Sequence, residues 1–155
     1  MTSEAARTKR RAYLALFAIE TLAAIVFVTA SVPLYGAVMS SSGHQLLDLP
    51  ESPVILLAAI ALFHCAYWYR LRHVPLVLGA QNHFVSHIVL FAARINFVFG
   101  TAFFALVVFR HLPGLTEIAD PVLLVLRFTG AVVILFSVFC YSAELERIGL
   151  ALRPQ

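Results

Sequence analysis

Four apolar stretches constrain this chain more than any other feature: Ala12 to Val38, Pro53 to Tyr69, Phe84 to Phe109 and Val122 to Ala143. Each is close to the roughly 20 residues that a helix needs to cross a ~30 Å hydrocarbon core. The second is the shortest and has to stand nearly upright or lean on its neighbours. The expectation is an all-α, polytopic membrane protein: a four-transmembrane-helix bundle with short loops.

Composition points the same way. The 155 residues are 61 % hydrophobic and only 12 % charged, against about 25 % charged in soluble domains. A soluble chain of this length has too little interior to hide so much apolar surface. One membrane domain over 12–143 is expected, preceded by a polar leader (1–11) and followed by a tail (144–155).

Basic residues alternate between the loops. Arg7, Lys9, Arg10 and Arg11 precede the first stretch, and the next loop has no Lys or Arg but carries Asp48 and Glu51. Arg70 and Arg72 follow the second stretch, Arg110 the third, and Arg147 and Arg153 the fourth. The positive-inside rule then puts both termini in the cytoplasm of a protein of the cell inner membrane. Tyr13, Trp68, Tyr69 and Tyr141 fall at the inner interface and Tyr35 at the outer one, as an aromatic belt requires. Attraction to anionic inner-leaflet lipid accounts for the +3 net charge, so nucleic acid is not an expected partner.

The basic start, the apolar run and the small residues near Val28-Thr29-Ala30 also resemble a cleaved signal peptide. Glu20 interrupts that run, and the apolar stretch continues past any cut. A retained first helix is the expectation.

Local punctuation agrees with the hydropathy. Ser52-Pro53 and Asp120-Pro121 each set a capping residue before a proline at the first helical position. Pro33 and Gly36 mark the end of the first span, and Pro113-Gly114 the end of the third. Ser40-Ser41-Ser42-Gly43-His44 is turn material, and Leu46 to Pro50 is expected to lie along the outer interface. Short loops make consecutive helices antiparallel neighbours.

Charges inside the spans are the most informative positions, because each costs at least a few kcal/mol unless paired or hydrated. Glu20 lies about 12 Å in from Ala12, and Arg94 about 15 Å in from Phe84, at 1.5 Å per residue. The matching depths predict a Glu20–Arg94 pair. It serves either as a clasp fixing helix register or as a proton- or ion-responsive pair lining a pathway, unless the two helices, both directed outward, do not touch within one copy.

On the third span His83, His87 and Arg94 fall within an arc of about 40°, continued by Val98, Thr101 and Ala105. This stripe is expected to face into the bundle. Asn96 and Gly100 lie nearly opposite, where a second helix or another subunit would dock.

His83 and His87 have a spacing that can place both imidazoles on one metal. His64 lies at a depth similar to His87, and facing histidines of this kind can hold a b-type haem. No carboxylate flanks the pair to complete a zinc site. The simpler reading leaves His83 interfacial and the other two as hydrogen-bonding bridges, with no metal and no cofactor.

Cys65 and Cys140 are read as packing residues of the inner half. Arg127 is expected to snorkel outward toward Glu117, Asp120 or the acids of the first loop. Glu144, Glu146 and Arg147 read as a solvated helix end.

No nucleophile–base grouping, phosphate loop or catalytic carboxylate pair is visible, which argues against an enzyme. The function expected is that of an oligomeric or accessory subunit of a membrane assembly, with lipid and a second copy or another membrane protein as partners. The alternatives are a small ion channel or proton-coupled transporter using Glu20 and Arg94, and a haem-binding redox anchor using His64 and His87.

Overall fold

The computed structural model describes residues 3–40, 53–76, 81–116 and 120–154. They form α1 (Ser3–Ser40), α2 (Pro53–His73), α3 (His83–Thr116) and α4 (Pro121–Ala151), with no strand among the described residues. All four helices are long and apolar enough to cross a membrane. The all-α, four-span architecture read from the sequence is the observed one.

The helices outrun the apolar stretches. α1 begins at Ser3, inside the expected leader, and continues through Pro33 and Gly36 to Ser40. α3 continues through Pro113 and Gly114 to Thr116. Membrane helices tolerate proline where neighbouring groups satisfy the freed carbonyl, so the helices run on, while the apolar spans end at Pro33 and at Arg110, as the sequence places them. α4 runs eight residues past Ala143. Its start is as expected: Asp120 accepts a 2.9 Å bond from Val122 N, with Pro121 in the first turn. The first loop, including Leu46 to Pro50, lies outside the described residues, as do Ser52 and Glu117.

Two hairpins make up the bundle. α1 packs along α2, α3 packs along α4, and α2 meets α4 where the hairpins join. The α3–α4 seam is close because its residues are small, the usual means by which membrane helices approach. A Cβ added at Gly100 would fall 2.6 Å from Val138 Cγ1, and one at Gly149 would fall 2.7 Å from Leu90 Cγ. Polar bonds pin the same seam. Asn96 Nδ2 donates to Ser142 Oγ at 2.8 Å, Ser86 Oγ to the Gly149 carbonyl at 2.7 Å, and Asn82 N to the Leu152 carbonyl at 3.0 Å.

α3 is therefore turned about its axis relative to the expectation. Ser86 and Ala93 are buried, whereas His83, His87, Arg94 and Val98 are exposed. Asn96 and Gly100 do receive a helix, but it is α4 of the same chain. Small residues decide the facing because they allow backbone approach, which a stripe carrying arginine and histidine does not.

At 21 residues, α2 is about 31 Å long at 1.5 Å per residue. The shortest helix matches the hydrocarbon thickness, so its ends set the level of the membrane on the bundle. Arg70, three residues before His73, is then only about 5 Å from one boundary.

A buried charge cluster joining the two hairpins

At the end of the bundle that carries both termini, three helices converge on Arg70. The Arg70, Glu20, Glu144 and Tyr13 side chains are all essentially inaccessible. Tyr13 and Glu20 stand seven residues apart, two turns of α1, and so share a face. Arg70 Nε donates to Glu20 Oε1 at 2.7 Å, and Nη2 donates to Oε2 at 2.6 Å. Nη1 donates to the Tyr13 hydroxyl at 2.7 Å and forms an ion pair with Glu144 Oε1. The Tyr13 hydroxyl donates in turn to Glu144 Oε1. Glu144 Oε2 accepts from Arg147 Nη1 at 3.0 Å.

Two carboxylates thus meet two guanidiniums, and every carboxylate oxygen has a partner. The guanidinium carbon of Arg70 also lies 4.8 Å from the Tyr13 ring centroid and 5.6 Å from that of Phe17, within cation–π range. Burying charges is tolerated when pairing is this complete, whereas removing one member strands the others. A planar guanidinium suits the task because it serves several oxygens at fixed angles.

Immediately beside the cluster, Thr21 and Tyr141 bring their hydroxyls to 3.2 Å, again α1 to α4. Ala23, Phe63, Tyr67 and Cys140 form the small core there, with Tyr141 packed on it. Further along, the hairpins diverge around an apolar cavity of about 410 Å³ lined by all four helices, among them Phe27, Ile60, Phe104 and Leu135. Its few polar side chains are already engaged: Ser31 with the Phe27 carbonyl, Asn96 with Ser142, and Ser137 with His64.

The expected Glu20–Arg94 pair is not formed. α1 packs on α2, and Arg70 of that helix takes both oxygens of Glu20. Arg94 is exposed on the outer face of α3. Nor is Glu144 a solvated helix end: it closes the cluster from α4.

The histidines do not converge either. His64 Nε2 lies 3.0 Å from Ser137 Oγ, and its ring stacks on Phe136. His83 and His87 contact one another on the exposed side of α3, their ring centroids 5.0 Å apart. Two imidazoles directed at different surroundings do not fit a haem held between them. No group of three metal-ligating side chains occurs among the described residues. Cys140 is buried and Cys65 exposed, so only the former packs the core. Arg127 is half-buried, and Asp120 is engaged as the α4 cap.

Reading depth from the edges of the hydropathy stretches hid this cluster. Arg70 and Glu144 each lie one residue outside the stretch assigned to their helix, where charges ordinarily meet water. The available signals were the seven-residue spacing of Tyr13 and Glu20 and the three-residue spacing of Glu144 and Arg147.

In comparisons with known proteins, no family model, curated protein or solved structure matches this chain.

Proposed function

We propose that this chain is a non-catalytic subunit of a membrane assembly, resident in the cell inner membrane with both termini cytoplasmic. Arg94 is the observation that carries the reading. It stands on the exposed face of α3 among Phe91, Ile95, Phe97 and Val98, all exposed as well. No ion pair or hydrogen bond engages it among the described residues. An arginine among exposed apolar side chains has to snorkel to the interface or be paired, and a carboxylate of a protein partner would pair it. The interior offers little to a chemical role, since both buried carboxylates are saturated and the cavity is apolar.

Photo-crosslinking from position 98, one turn from Arg94, tests this in native membranes. A protein adduct is expected, and adducts to lipid alone would overturn the reading. Reporter fusions at residues 41 and 155 should report opposite sides, with residue 155 cytoplasmic.

A second reading, a carrier for a small apolar solute, draws on the cavity and on the ion cluster at its end. In that case Glu20 and Glu144, rather than Glu20 and Arg94, would respond to protons. Solute-dependent proton movement in liposomes, abolished in Glu20→Gln, would favour the carrier over the subunit.

A further inference from the structure

The outer side of the α3–α4 hairpin carries a groove floored by Ala93, Ser142 and Ala143 and flanked by two opposite charges, Arg94 on α3 and Glu146 on α4. Both charged residues are exposed. The seam contacts Asn96–Ser142 and Ser86–Gly149 bring Arg94 and Glu146 within about one helical turn, ~5 Å, along the bundle axis. Yet no ion pair joins them within the chain.

We propose that this groove is the interface with a second copy of the chain, in which Arg94 of each protomer pairs with Glu146 of the other. The inference rests on the subunit reading above and names its partner. A groove with one cation and one anion at nearly the same level is complementary to itself. A two-fold axis along the membrane normal exchanges the two charges, keeps both copies in the same topology and forms two identical pairs. The small floor residues let the second hairpin approach closely, and Phe97 and Phe139 at the rim supply apolar contact. An anionic lipid headgroup would satisfy Arg94 alone and leave Glu146 facing its phosphate.

Charge reversal discriminates these cases. Arg94→Glu should face its own copy with two like-charge pairs, and Glu146→Arg likewise. Each alone is expected to raise the dimer dissociation constant by at least about tenfold, since like-charge juxtaposition is strongly unfavourable. Co-expressed with different affinity tags, the two single variants should pair with each other, because both contacts between them are then opposite in sign. The double variant R94E/E146R should dimerise with itself. Pairing within one chain would not yield the mixed dimer, because each single variant carries two like charges internally.

Recovery of the mixed dimer, with neither single variant dimerising, is the expected result. A mixed dimer no tighter than the parents, or loss with Arg94→Glu but not with Glu146→Arg, overturns the interface. Should a reversal fail to reach the membrane, Arg94→Gln and Glu146→Gln replace it. Each is then expected to weaken the dimer and the double neutral variant to be no worse than either, while independent effects overturn the proposal. If the unmodified protein is captured only with a different membrane protein, this inference fails and the subunit reading stands. If it is captured with none, both fail.

Discussion

Arg70 holds Glu20 through two separate nitrogens, Nε on Oε1 at 2.7 Å and Nη2 on Oε2 at 2.6 Å, and with Nη1 reaches both Tyr13 of α1 and, on the other hairpin, Glu144. One side chain thereby ties α1 to α2 and the α1–α2 hairpin to α4. Lysine has the charge but not the fork.

Arg70→Ala should therefore be among the most damaging single substitutions, because it leaves Glu20 and Glu144 buried without their shared cation. Breaking buried pairs typically costs about 3–5 kcal/mol. Arg70→Lys should fall between the alanine variant and the parent in thermal unfolding in detergent. A lysine variant as stable as the parent would show that charge alone suffices.

Tyr13→Phe removes a hydroxyl that accepts from Arg70 and donates to Glu144, leaving the ring in place. A loss of about 1–3 kcal/mol is expected for buried partners left unsatisfied. Combined with Glu144→Gln, the effects should be non-additive, as for residues sharing one network. Additive losses would mean that the hydroxyl does not couple to the carboxylate.

Gly100→Ala places a methyl where Val138 Cγ1 already is. Overpacking of this kind costs about 1–3 kcal/mol, and Val138→Ala should rescue much of it. Gly130→Ala is the control: nothing lies within 4 Å of its added carbon, and alanine is the better helix former by up to about 1 kcal/mol. Equal effects at the two glycines would contradict the close seam.

Asn96→Ala should lower the unfolding temperature of the isolated chain slightly and leave its self-association unchanged, because the amide bonds Ser142 of the same chain. Membrane hydrogen bonds average about 0.6 kcal/mol. Unfolding by circular dichroism, alongside native mass spectrometry, separates the two readouts. A selective loss of association would return Asn96 to an intersubunit role.

The span count was legible because helix length and apolar composition are local properties, and Asp120-Pro121 announced its helix start unaided. Which face of α3 turns inward was not, since it depends on whether Ser86, Ala93 and Gly100 find a partner that can approach closely. Glu20 stands out in the sequence as a charge needing a cation, and it has one in Arg70. That cation lies just beyond the edge of an apolar stretch, not in the middle of one. The guanidinium on a short neighbouring helix, near its end, was nearer in space than one centred on a long helix. Glu146, which reads as solvent-facing in the sequence, shares a groove with Arg94 because the Asn96–Ser142 and Ser86–Gly149 bonds set the register of the seam.

The ion cluster also imposes an order on biosynthesis. Arg70 and Glu20 are both present once the first two helices have been made, and their charges already cancel as a pair. Glu144 enters the membrane only with the fourth helix, carrying its own cation, Arg147. Each buried carboxylate thus has a cation on its own hairpin, and docking of the two adds the Arg70–Glu144 pair without breaking Glu20–Arg70 or Glu144–Arg147. Reversing Arg147 to an acid would leave the second hairpin with an unneutralised carboxylate at the moment of insertion. Glu144 would then depend on Arg70, and so on the other hairpin, for its whole compensation.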